Sequence, residues 1–190
     1  QELQTSKHVF AWMDKIARKP FVQESEIGKS KEGRPLRMLQ IGNPDSKKMM
    51  LVISRQHPPE VTGYLAMKAF IEKLVDKSRL SKKFRKDWSI YVIPLMNPDG
   101  VDNGHWRHSA GGIDLNRDWT QFNQPEGLAV STFLKKRERE TGGKFYFGID
   151  FHSTWEDIYY PMDKSFKGSM PDLVYDWMDS LKKAIPNYEP

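Results

Sequence analysis

Three short apolar runs constrain this chain more than any other feature: Met49 to Ile53, Trp88 to Leu95 and Phe145 to Phe151. Each is too short for a buried helix and reads as a strand covered on both faces, the pattern of sheets whose crossover connections lay helices over them. Between the first two runs, Tyr64, Met67, Ile71 and Leu74 recur at helical spacing, with Leu65 and Phe70 beside them. Strand, helix, strand is a crossover unit, so the fold class is α/β. Further helices are predicted at Val9, Trp12, Met13 and Ile16, after Thr5 and Ser6 and before Pro20, and over Glu126 to Glu140, ended by Gly142-Gly143. A last helix is predicted from about Pro171 to Ile185, with Leu173, Val174, Trp177, Met178 and Leu181 on one face and Pro171 suited to its first turn.

Composition narrows what such a chain can do. At 190 residues, with 38% hydrophobic and 12% aromatic residues, it can bury a core as one domain over residues 1–190, which excludes disorder as a description of the whole. No run approaches membrane-spanning length, so neither a membrane span nor a hydrophobic signal peptide is expected in these residues. Cysteine is absent, which removes disulfide scaffolds, thiolate-bound zinc, iron–sulfur clusters and thiol nucleophiles; any metal must sit on His and carboxylate. The net charge of +5 is mild. Its densest stretch, Lys77, Arg79, Lys82, Lys83, Arg85 and Lys86, falls in a connection between helix and strand with only Phe84 interleaved, so it reads as a solvated surface and no nucleic-acid partner is expected. The start at Gln1 rather than Met favours an exported, processed protein, although a trimmed chain would begin the same way.

The residues that carry chemistry stand where the strands end. After Ile53 comes Arg55-Gln56-His57-Pro58-Pro59-Glu60. Proline disfavours helical backbone in the residue before it but is tolerated in a first helical turn, so His57 is expected on the strand-end loop and Glu60 at the helix entrance. That is the carboxyl edge of the sheet, where α/β proteins place their sites. A second histidine closes the third run, in Asp150-Phe151-His152-Ser153. His57, Glu60 and His152 would make three zinc ligands and leave a fourth position for water, as catalytic rather than structural sites do. Taken singly, HxxE and a strand-end His are weak signals. Between them lie Asn97-Pro98-Asp99-Gly100, Trp106-Arg107 and Gly112-Ile113-Asp114-Leu115-Asn116-Arg117-Asp118-Trp119.

In this order and spacing, from about Arg55 to His152, these motifs resemble the zinc metallocarboxypeptidases of the carboxypeptidase A family. The resemblance implies a mixed, largely parallel sheet with helices on both faces, the phosphorylase/hydrolase-like architecture, of which these residues form the first two thirds or so. It implies one Zn2+ on His57, Glu60 and His152, and Arg107 as the electrophilic group beside the scissile carbonyl, where a fixed cation stabilises a developing oxyanion. It implies that Arg107, Asn116 and Arg117 bind substrate, the last two by holding a peptide or protein C-terminal carboxylate, a planar fork meeting a planar anion. Asp114 matches the carboxylate that takes the other ring proton of the first zinc histidine. The activity implied is hydrolysis of the C-terminal peptide bond by metal-activated water.

The chain departs from that pattern in places. The family's general-base glutamate, its closing tyrosine and the floor of its specificity pocket lie well downstream of the last zinc histidine and are not matched up to Pro190. Glu126, Glu156 and Asp157 are local carboxylates that could replace the base, but none matches the family position and each reads as a surface group. His105 and His108 flank Arg107 as a conceivable second metal pair that lacks a third ligand. Pro59 and Ser153-Thr154 differ from the digestive members. Two other readings therefore stand: a zinc amidase or deacylase on the same scaffold, and a non-catalytic module that binds zinc and C-terminal carboxylates without the base.

Overall fold

Apolar side chains on both sides of the same strands decide the architecture. The computed structural model describes residues 4–155, 163, 165–167 and 170–188. In β2 (Pro35–Gly42), β3 (Lys48–Ser54) and β4 (Ser89–Ile93), Leu39, Ile41, Met50, Val52, Ile90 and Val92 point to one face. Met38, Met49, Ile53, Tyr91 and Ile93 point to the other. Successive side chains alternate across a sheet, so a strand with no polar positions needs a layer on each face. The first face is covered by α1 (Ser6–Ala17) and α2 (Val61–Leu74), through Val9, Met13, Tyr64, Met67 and Ile71. The second is covered by α5 (Pro125–Thr141), through Val130, Phe133 and Leu134. Helices thus lie on both faces, as expected.

Among the described residues the sheet has five strands in the order β1-β2-β4-β3-β5, with β1 spanning Val22–Lys29 and β5 spanning Lys144–Phe151. β3 pairs in parallel with β4 and β5, while β2 pairs antiparallel with β1 and β4, so β2 alone runs against the rest. The crossover from β3 through α2 to its parallel neighbour β4 is the unit that the spacing predicts. No helix among the described residues is long and apolar enough to cross a membrane.

Several elements correct the sequence reading. The apolar pattern does not predict β1, because Val22-Gln23-Glu24-Ser25-Glu26 is polar; it is an edge strand that forms a hairpin with β2 and buries only Val22. The basic stretch lies on a helix, α3 (Arg79–Asp87), started by Ser78, whose hydroxyl accepts from the Ser81 N–H. Arg85 of that stretch is buried: it donates to the Leu74 and Asp76 carbonyls at the end of α2 and lies over the Phe21 ring. Asn97-Pro98-Asp99-Gly100 opens a short helix, α4 (Pro98–Asn103), which Asn97 caps through the Gly100 N–H. The third apolar run is a strand, but it is not buried on both faces. Among the described residues β5 pairs only with β3, its side chains are alternately exposed and half-buried, and Tyr146 is 56% exposed.

The described residues divide into two compact units, one ending at Ser153 and one from Thr154 onward. The second holds α6 (Met170–Ala184), with Asp172 in its first turn and Lys182 and Lys183 in its last, the arrangement that suits the helix dipole.

Candidate metal centre

The candidate site is built at the carboxyl ends of β3 and β5, within the first unit. β3 leaves the sheet at Arg55, whose φ of +56° is the left-handed conformation that non-glycine residues rarely adopt. Its buried guanidinium donates to the carbonyls of Pro58, 2.7 Å away, and Gln4, 3.1 Å away, and burial brings its pKa down to about 10. From the N-cap of α4 the Asn97 side chain donates to the Gln56 carbonyl at 3.1 Å. The loop holding His57 is therefore clamped from both sides. Glu60 stands at the N-cap of α2, as the prolines predict.

On the β5 side the close approach depends on Gly63, in the first turn of α2. A Cβ there would stand 2.5 Å from the His152 carbonyl oxygen, so any other residue would push the helix off the strand end. The Gly63 N–H donates to Ser153 Oγ at 2.8 Å.

These two supports bring His57, Glu60 and His152 together. His57 Nδ1 lies 2.9 Å from Glu60 Oε1, and His152 Nδ1 lies 2.7 Å from Glu60 Oε2. One ligand atom from each falls within 4.8 Å of the others, a grouping that no other His or carboxylate trio matches among the described residues. The far nitrogens are also occupied: His57 Nε2 is 2.9 Å from Asp114 Oδ1, and His152 Nε2 is 2.7 Å from Asp150 Oδ2. Two imidazoles and a carboxylate, each imidazole backed by a carboxylate, is a donor set that suits zinc with an open fourth position. The residues fit the ion.

Electrostatics inside the cluster reflect this crowding. Burial pushes the Glu60 carboxyl up, but the His152 and His57 rings override it and bring it down to about 2. Burial opposes the charged form of His152, yet Asp150 and Glu60 raise it to about 10. His57 is raised as well, first by its bond to Glu60. Asp114 is held below its ordinary range, because the bonds from His57 and Arg107 outweigh its burial.

The other sequence-predicted residues gather around Asp114. Arg107 Nε donates to Asp114 Oδ2 at 2.7 Å, and the Asn116 backbone N–H donates to Asp114 Oδ1 at 2.9 Å. Asp114 thus ties the first histidine to both remaining motifs. Arg107 is exposed and anchored by Nε alone, which leaves its two Nη groups without partners among the described residues. Arg117 is exposed and donates from Nη1 to the Asn116 carbonyl at 3.1 Å, while the Asn116 carboxamide has no partner among the described residues.

Some expectations are corrected. Glu126 is not a surface carboxylate but is fully buried; its Oε1 accepts from the Lys31 N–H, its Oε2 has no partner among the described residues, and burial raises its pKa. Asp99 of the NPDG motif is also buried and takes up the β1–β2 turn through Ser30 Oγ, the Glu32 N–H and Arg34. His105 and His108 join no metal-binding group among the described residues. Glu156 and Asp157 lie outside the described residues.

Four residues of the site are given no role by the sequence reading: Gly63, Asp150, Gln56 and Trp119. An isolated glycine in a helical pattern is a sign of close backbone approach, and Asp150 sits two residues before His152, on the same strand face. Trp119 closes the Gly112–Trp119 motif without a role that the sequence assigns, and Gln56 carries no mark beyond its place before His57.

Comparison with known proteins bears on the whole chain. The profile of the zinc carboxypeptidases matches residues 9–188. The chain belongs to the zinc carboxypeptidase family. It is similar to cytosolic carboxypeptidase 6 of Caenorhabditis elegans, with 32% identity over 152 residues, which is 75% of this chain and 33% of that protein. It is equally similar to an uncharacterised protein of Zymomonas mobilis, 32% identical over 186 residues, covering 92% of this chain and 46% of that one. In fold it matches a metallo-carboxypeptidase from Burkholderia cenocepacia with a TM-score of 0.81 at 24% identity, over 98% of this chain and 52% of that structure. The chain spans less than half the length of these two curated relatives.

Proposed function

We propose that this protein hydrolyses the C-terminal peptide bond of peptides or proteins as a zinc-dependent carboxypeptidase. The observation that carries the reading is the convergence of His57, Glu60 and His152 within 4.8 Å, with Asp114 joining that trio to Arg107 and Asn116. Zinc held by those three side chains would supply a Lewis acid and a water of lowered pKa.

The remaining work belongs to the chain's own groups. Asp114 holds the His57 proton on Nε2 and so keeps the Nδ1 lone pair for the metal. The same carboxylate fixes Arg107 through Nε, leaving both Nη groups to face a developing oxyanion. The Asn116 carboxamide and the Arg117 guanidinium bind the free carboxylate of the substrate's last residue, which selects chain ends over internal bonds.

The test uses the intact protein with paired substrates that have free or amidated C-termini. Arg117→Ala is expected to raise KM and lower kcat/KM for the free acid by about 10- to 100-fold. Equal wild-type rates on free and blocked termini would overturn the exopeptidase assignment and favour an amidase. Zinc and peptide binding without turnover would favour the non-catalytic module.

A further inference from the structure

A directional hydrogen-bond chain runs from the carboxylate-binding segment to the second metal histidine. It begins at Trp119, two residues beyond Arg117, whose indole Nε1–H donates to Gln56 Oε1 at 2.9 Å. An indole can only donate, so the oxygen of the Gln56 amide must face Trp119 and its NH2 must face the other way. Gln56 is fully buried, which leaves no water to satisfy a flipped amide. Its Nε2–H then donates to Asp150 Oδ2. That oxygen also lies 2.7 Å from His152 Nε2, so the Asp150 carboxylate oxygen accepts from both. With the proton of His152 on Nε2, the lone pair stands on Nδ1, the atom that faces Glu60 in the metal trio.

We propose that Trp119 and Gln56 are positioning residues, which set the tautomer and ring orientation of His152 through Asp150. The indole fixes the amide, the amide fixes the carboxylate, and the carboxylate fixes the imidazole. The same chain makes the metal centre depend on where the segment carrying Asn116 and Arg117 sits. Gln56 is suited to this place because its backbone carbonyl is itself anchored by Asn97, and it is the residue next to His57. One buried residue therefore touches the supports of both metal histidines, by its side chain on the His152 side and by its backbone carbonyl on the His57 side. This inference rests on reading His57, Glu60 and His152 as the zinc centre.

The test is zinc affinity of the intact protein, measured by chelator competition, beside 15N spectra of the zinc-loaded histidines. Trp119→Phe removes only the indole donor and frees the amide to flip; Gln56→Glu keeps an acceptor for Trp119 but sets an acceptor against Asp150. Zinc binding is expected to weaken by about 10-fold in the first and by up to about 100-fold in the second, the range found when outer partners of metal histidines are lost. In the wild type the His152 Nε2 resonance should carry a slowly exchanging proton, and in both variants that proton should exchange faster. Those spectra separate positioning from simple loss of stability. Wild-type zinc affinity in both variants, or weaker binding with an unchanged His152 pattern, overturns the proposal while leaving the centre in place. A wild-type protein that binds no zinc removes the centre itself.

Discussion

The two histidines of the candidate centre are held in opposite ways. His57 follows β3, the strand flanked on both sides by parallel partners, and its side chain is only 6% exposed. Its loop is clamped by Arg55 and Asn97, and its outer nitrogen meets Asp114, which Arg107 and Asn116 also share. His152 follows β5, which among the described residues pairs only with β3 and has half-covered side chains, and is 23% exposed. Among the described residues it is placed by Asp150, Gln56 and the approach of α2 at Gly63. One half of the site is thus set by burial and the other by hydrogen bonds at a strand end, so the second half should yield more readily to single substitutions outside the ligands.

The largest expected effect tests whether the two halves form one centre at all. His57→Ala and His152→Ala should each abolish stoichiometric zinc binding, read by elemental analysis after equilibration with limiting zinc, because two ligands rarely retain the ion. Zinc retained in the His152 variant would detach β5 from the site.

Next come the outer carboxylates, where the comparison sharpens. Asp150→Asn and Asp114→Asn should each weaken zinc by about 10- to 100-fold. Only the Asp114 variant should also lower kcat/KM at saturating zinc, because Asp114 alone holds Arg107 as well. Equal activity losses at saturating zinc would mean that the two carboxylates do the same work.

A smaller effect is expected at the hinge between helix and strand. Gly63→Ala forces a Cβ against the His152 carbonyl, and overpacking of this kind costs about 1–3 kcal/mol of stability in urea unfolding. Zinc affinity should fall with it, whereas Ser153→Ala, which removes the hydroxyl that meets the Gly63 N–H and Thr62 Oγ1 but forces no clash, should cost less.

The smallest separates the strands themselves. Ile53→Val in buried β3 should cost about 0.5–1.5 kcal/mol, while Tyr146→Thr on the exposed edge of β5 should stay within about 0.5 kcal/mol. Equal costs would show that β5 is as firmly packed as β3.

Local pattern alone makes much of this molecule legible. The apolar runs at Met49–Ile53 and Trp88–Leu95 have nowhere to go but the middle of a sheet with helices on both faces, because strands without polar positions must be covered twice. The prolines after His57 place that histidine on a loop and Glu60 at the helix start, since proline restricts the backbone whatever surrounds it. The order of short motifs then points to the family, which the profile match over residues 9–188 bears out. Tertiary structure decided what depends on distant partners. Among the described residues it paired Phe145–Phe151 on one side only, with β3, because burial belongs to the neighbours of a strand and not to its own residues. It buried Glu126 and Arg85 despite their charge, because backbone groups from other elements met them there. It recruited Gln56, Trp119 and Asp150 around His152, because a hydrogen bond needs two groups in place, and only the folded chain brings residues 56, 119 and 150 within reach of one another.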